Sequence, residues 1–309
     1  MSSSATYAVV TAALLGALVP WLGMRMLLPA LRSATPVVNY RGRKVTPGLG
    51  VVWLLWSGAA ILVSLLARMN PEFVDPRLAT LLALAGLLAL VAFALGLADD
   101  AYGTSAERGF RGHLAALAKG RLTTGSMKLF GISLASLLAA AFLLAGRDGA
   151  GFAPVIALVV ALPAGAAIAL TSNLANLTDL RPGRALKFYC VLATCGIVSS
   201  AVGMGFDAGV STSGSIAIRV AVLALFAFGP VVAVWKYDLG EIGMLGDAGA
   251  NPMGAVAGLM IVAGLSMAGI LIYLALMLAL NLASERVSFS KVIDGNRFLR
   301  WIDAVGREA

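Results

Sequence analysis

The chain has 309 residues, of which 60% are hydrophobic and 12% charged, and its mean hydropathy is +0.92. A soluble domain is about 45–50% apolar and about 25% charged, so the composition excludes an ordinary soluble fold. It implies an all-α polytopic membrane protein. The formal net charge is +8, but its distribution along the chain, described below, argues against nucleic acid as the partner.

A spanning helix needs about 20 apolar residues. Nine candidates follow in chain order, at roughly 5–28, 50–69, 78–98, 129–146, 153–171, 186–205, 215–234, 252–265 and 268–284, the last two short and with the least distinct boundary. No basic residue precedes the first apolar run, whereas Arg25 and Arg32 come in it or after it. A cleavable signal has the opposite polarity, so the first helix is expected to be retained. Nine spans put the termini on opposite faces. If the segment after the first span is cytoplasmic, nearly every Lys and Arg falls on that side, and only Arg68, Arg77, Arg147 and Arg219 lie outside. The positive-inside rule therefore predicts an N-out, C-in topology for a multi-pass membrane protein, with basic loops facing the cytosol and anionic headgroups. Residues 1–284 form the expected transmembrane domain. From 285 to 309, basic and apolar residues alternate (Arg286, Phe289, Lys291, Ile293, Arg297, Phe298, Trp301), as in an amphipathic helix on the inner leaflet. Cys190 and Cys195 lie in one apolar stretch at a spacing that suits neither a metal pair nor a redox motif, and are expected to be buried free thiols.

Three polar islands break the apolar pattern, all on the expected cytoplasmic side: GLADDAYG around Asp99 and Asp100, NLANLTDLRPGRALK from Asn173 to Lys187, and MLGDAGANPMG around Asp247. Carboxylates beside lipid are costly and mark function. Adjacent acids repel unless a cation shares their site. A hard cation such as magnesium takes oxygen ligands and bridges to substrate phosphates. In the second island, Asn173, Asn176, Thr178 and Asp179 can read a nucleoside or sugar, while Arg181, Arg184 and Lys187 can hold phosphate. In the third, glycines beside Asp247 let backbone approach a ligand. Each island alone also suits a plain turn or a solvated helix end. Together they point to a metal-dependent site for a phosphorylated substrate.

In order and spacing, these islands resemble the motifs of the polyprenyl-phosphate N-acetylhexosamine-1-phosphate transferase superfamily, which includes the phospho-MurNAc-pentapeptide translocases and the GlcNAc-1-phosphate transferases. The Asp-Asp motif is matched at Leu97 to Asp100, the Asn-x-x-Asn-Leu-x-Asp motif at Asn173 to Asp179, and the Met-Gly-Asp-x-Gly motif at Leu245 to Gly249, with Leu245 in the place of Met. A Lys-x-Thr-Pro-x-x-Gly segment is matched at Lys44 to Gly50, and a lysine entering the fourth span at Lys128. The resemblance covers about 38 to 258. It implies magnesium-dependent transfer of a sugar-1-phosphate from a UDP-sugar to polyprenyl phosphate, releasing UMP, with manganese as an alternative ion. It makes Asp99, Asp100 and Asp247 catalytic, with Asp247 and Asp100 toward the metal. Lys44, Thr46, Lys128, Asn173, Asn176, Asp179, Arg181, Arg184 and Asp238 become substrate-binding. Membrane lipids are partners, and family analogy suggests a homodimer.

The chain also departs from the family pattern. After Asp179 the family has Gly-Leu-Asp-Gly, but here Leu180-Arg181-Pro182-Gly183 stands. The histidine-rich loop is absent, since the single histidine is His113, and Ser284 to Ala309 stand in place of the last span. Arg181 and Arg184 are the candidates to replace the missing loop. The competing readings are a related enzyme with another donor or acceptor, and a non-catalytic homologue or transporter. A transporter would keep its polar groups near the bilayer midplane, whereas these sit at helix ends.

Overall fold

The computed structural model describes residues 3–70, 74–103, 119–148, 154–206 and 213–307. The 104–118 segment, with Arg108, Arg111 and His113, lies outside the described residues, as do parts of the expected outer loops at 70–77, 147–152 and 206–214. Helix α1 (Ser3–Ala12) runs through a π-helical stretch (Ala13–Leu18) into α2 (Val19–Arg32). A two-stranded antiparallel hairpin follows, β1 (Val37–Val38) and β2 (Lys44–Val45), turned at Gly42 with φ 77°. Then come α3 (Val52–Met69), α4 (Pro76–Tyr102), α5 (Thr124–Asp148), α6 (Pro154–Thr178), α7 (Arg184–Phe206), α8 (Ser213–Leu239), α9 (Asp247–Gly264) and α10 (Met267–Ser284). Two short helices, α11 (Phe289–Gly295) and α12 (Arg297–Ala304), finish the described chain.

Among the described residues, eight helical segments are long and apolar enough to cross a membrane. Every expected span except 252–265 coincides with one of them. That exception is α9, an 18-residue helix rich in Gly and Ala whose residues from Ala248 to Ala263 are all buried. It is the centre of the bundle, packed on α4, α6 and α7. Its small residues let neighbouring backbones approach closely: a Cβ on Gly254 would lie 2.4 Å from the Thr171 carbonyl oxygen, and one on Gly264 would overlap the Ser199 backbone. Hydroxyls complete the seams, Ser172 donating to the Asn251 carbonyl at 2.9 Å and Ser199 to the Ile261 carbonyl at 2.7 Å. Inside lipid such hydrogen bonds and close packing hold helices together, because apolar burial does not distinguish a neighbour from a lipid tail.

A second knot joins α3, α7 and α8. The Trp53 ring meets Trp56 and Tyr189 edge-on at 5.1 and 5.7 Å. The Trp56 indole donates to the Phe226 carbonyl, and the Tyr189 hydroxyl to that of Ala227. These bonds satisfy the polar tips of Trp56 and Tyr189, whereas the buried Trp53 indole N–H has no partner among the described residues. The two cysteines are free as expected, but they are not both buried: Cys195 is exposed and Cys190 half-buried. Cys190 packs against the core, whereas Cys195 lies on the outward face of α7.

The tail also differs from a single amphipathic helix. It is broken at Asn296, whose side chain caps α12 by accepting from the Phe298 and Leu299 amides, a common way to start a helix.

Candidate functional site

The polar islands converge at one end of the bundle. Asp99 and Asp100 lie in the last turn of α4, Lys128 in the first turns of α5, and Asp247 opens α9. The Lys128 ammonium donates to Asp99 Oδ2 at 2.7 Å and also to Asp247 Oδ2. One ammonium therefore bridges carboxylates from two other helices.

Asp100 does something different. Its two carboxylate oxygens accept the backbone amides of Asp247 at 2.9 Å and Ala248 at 3.0 Å. These are unpaired donors of the α9 N-terminus, where the helix dipole also favours negative charge. Asp179 adds a carboxylate at the same place, near the Gly246 amide. Gly246 has φ 65°, and a Cβ there would meet Asp100 Oδ2 at 2.6 Å. Glycine is thus required both by the backbone and by the carboxylate beside it. On the other side, a Cβ on Gly96 would lie 2.4 Å from the Asp247 carbonyl oxygen, so α4 and α9 cross in backbone contact at the site. Burial, then the nearby charges of Asp238, Asp247 and Asp100, push the Asp179 carboxyl well above the usual carboxylate range.

The segment after the first span forms a brace. The Thr46 amide donates to Ile242, its carbonyl accepts from Met244, and the Leu49 amide donates to Met244. Thr46 thus supports, through its backbone, the loop that leads into Asp247. Lys44 is exposed on β2. Glu241, in the same loop, is the one non-glycine residue with positive φ among the described residues, at 51°. Its carboxylate accepts from the Asn39 amide at 2.7 Å and pairs with Arg41 at 3.1 Å. A non-glycine residue in this region stores strain unless its surroundings hold it, and here the hairpin does so.

A small pocket of about 40 Å³ lies between hairpin and bundle, bordered by Tyr40, Asp179, Arg181, Pro182, Asp238 and Glu241 among others. Asp238 is buried and accepts the Gly183 amide at 2.6 Å. Arg181 stands over the Tyr40 ring, 5.6 Å from its centre, and makes a two-pronged pair with Asp294 of α11 at 2.7 and 2.8 Å. Arg184 is buried and makes a two-pronged pair with Asp303 of α12, both bonds 2.9 Å, plus a bond to Ser290. The tail therefore already occupies both arginines expected to hold the substrate.

The islands thus separate into groups. Asp99, Lys128 and Asp247 share one ion-pair network. Asp100 holds the backbone entering α9, with the Asp179 carboxylate close by. Asp238 and Arg181 border the pocket. Asn176 is half-buried one turn before the end of α6, and its carbonyl accepts the Asp179 amide at 3.1 Å. Asn173 is exposed and donates to Asn281 of α10 at 2.7 Å. Sequence reasoning missed Tyr40, Asn39 and Glu241; the glycine-containing turn from Asn39 to Arg43 between two short β-branched pairs was the available signal for the hairpin.

Among the described residues, no three Asp, Glu, His or Cys side chains group as a metal-holding set. Two carboxylate oxygens, from Asp99 and Asp247, do converge on a single cation, the Lys128 ammonium. A magnesium-type ion needs only one or two carboxylates when waters and substrate phosphates complete its shell. Neither a family model nor a curated protein matches the chain.

Proposed function

We propose that this chain is a membrane-embedded phosphoglycosyltransferase that moves a sugar-1-phosphate from a UDP-sugar to polyprenyl phosphate and releases UMP. The N-acetylhexosamine donors are the first choice. The observation that carries the reading is the meeting of Asp99, Lys128 and Asp247 from three helices at one polar end. These are three of the positions singled out by the motif resemblance, and they are far apart in sequence. The described basic residues of the hairpin, of the 181–187 turn and of the tail lie at that end, which supports a cytoplasmic site, and the motif resemblance implies a bacterial plasma membrane as its home.

In this reading a phosphate oxygen of the lipid attacks the sugar-bound phosphorus of the donor, and the bond to the UMP oxygen breaks. A phosphate monoester is already largely ionised near neutral pH, so proton removal is not the central task. Positioning and charge neutralisation are. Asp247 and Asp99 would hold a divalent cation, which when bound supplies positive charge to the donor's diphosphate. Asp100 keeps the start of α9, and with it Asp247, in place. Lys128, once its carboxylates have another cation, is free to neutralise a phosphoryl oxygen. Asp179, Asp238 and Tyr40 border a recess beside this centre where part of the donor can sit.

The test is UMP release by the purified protein with undecaprenyl phosphate, magnesium and a panel of UDP-sugars. Turnover with one donor supports the reading and names the sugar. No turnover with any donor, from folded protein, favours a different substrate pair or a non-catalytic role.

A further inference from the structure

The tail offers a surface that the proposed reaction does not use. Helix α12 is fastened from one side only. Asp303, buried, takes the two-pronged bond from Arg184 and a further 2.7 Å bond from Arg307. The Lys187 ammonium donates to the Ile302 and Asp303 carbonyls, and Arg307 donates to that of Pro182. By helical spacing, Phe298, Trp301 and Val305 form a stripe on the side away from Asp303. Phe298 is 65% exposed and Trp301 64%, with their rings stacked 6.2 Å apart. Arg297 and Arg300 both lie along one edge of this stripe, Arg300 between it and the Asp303 side, and Lys291 precedes it, all three exposed. Among the described residues none of these three cations has a carboxylate partner.

An aromatic stripe with exposed cations along its edge is the composition of an element lying at a lipid–water boundary. Its place in the chain agrees. Helix α10 is a spanning segment with little of its surface buried, and its exposed Ile272, Leu276 and Leu282 are the face expected to meet lipid. Only a few residues separate its end at Ser284 from α11. Exposed Val287 and Val292 continue the apolar surface toward Phe298.

We infer that α12, clasped from behind through Asp303, is a preformed docking face for anionic lipid headgroups on the polar-end side of the membrane. Phe298 and Trp301 enter the acyl boundary, while Arg297, Arg300 and Lys291 take the headgroup charge. Because the clasp runs through Arg184 and Lys187, lipid held by the tail also restrains the turn at 180–184, which carries Arg181. This inference is independent of the transferase reading.

The test uses the full chain in nanodiscs of phosphatidylcholine, with or without phosphatidylglycerol, containing lipid brominated near the top of its acyl chains. Quenching at Trp301 is the difference between the native chain and Trp301→Phe. It should be strong in anionic discs at low salt and fall as salt rises. In the Arg297→Gln/Arg300→Gln chain it should also fall, each lost cation lowering the attached-to-detached ratio about fivefold. Equal quenching in neutral and anionic discs would overturn headgroup recognition. No quenching in either disc would overturn docking altogether.

Discussion

The carboxylate of Asp100 receives the backbone amide of Asp247 at 2.9 Å, across 147 positions of sequence. With the second bond to Ala248, it makes Asp100 the cap of α9, the most enclosed helix in the protein. Asp100→Ala should therefore lower stability by about 1–2 kcal/mol, the usual cost of losing an N-cap. Asp100→Asn keeps an accepting oxygen and should lose less. Thermal unfolding in detergent compares the two, and equal midpoints for Asp100→Ala and the native chain would contradict the capping role.

Lys128 bridges Asp99 and Asp247 with little exposure on any of the three side chains. Lys128→Met leaves two facing carboxylates without their cation, a loss on the order of 3 kcal/mol for a largely buried pair. Adding Asp247→Asn to that variant should restore part of the stability, since one of the repelling charges is gone. A double-mutant cycle measures this directly, and additive losses would argue that the three groups do not act as one network.

Burial would raise the Asp303 carboxyl, but the hydrogen bond and charge of Arg184, with Arg307, outweigh it and hold Asp303 below its ordinary range. A carboxylate depressed in the folded state contributes stability that is fully present above its unfolded pKa of about 3.9. The contribution is lost as pH falls below that value toward the lower folded one. Docking of α12 should thus persist through mildly acidic pH and fail only in strong acid. Asp303→Asn should release the tail at neutral pH, as hydrogen exchange over 289–304 would register. Unchanged protection in Asp303→Asn would remove the clasp from the account.

Asp179 is shifted the other way, by burial and by the carboxylates around it. A raised carboxyl weakens the fold as pH climbs from its unfolded pKa through the raised value. Asp179→Asn keeps the size and an accepting oxygen and removes that charge, so it should unfold at the same temperature as the native chain or higher near neutral pH. A clear loss of stability would mean that the charge itself is needed at the α9 entrance.

Apolar run lengths were enough to locate the helices, because a chain this poor in charge announces each interruption. Asp99, Asp100 and Asp247 stood out for the same reason: a carboxylate beside lipid has few reasons to be there. What could not be read was the division of labour between neighbours. Asp99 and Asp100 are adjacent, and only the crossing of α4 with α9 turns one toward Lys128 and the other toward backbone amides. Arg184 looked like a phosphate ligand because the carboxylate that engages it, Asp303, is 119 residues away in a tail that reads as independent. The enclosure of α9 was equally hidden, since a run of Gly and Ala reads as a weak span although the same small residues suit a central helix.

The most direct test of the central claim is magnesium-dependent UMP release by the native chain beside Asp99→Asn and Asp247→Asn, each checked for intact folding. The account predicts release in the native chain with at least one UDP-sugar, reduced by about a hundredfold or more in both variants, as expected when charge stabilisation of a transferring group is removed. Release that persists undiminished in both variants would contradict it.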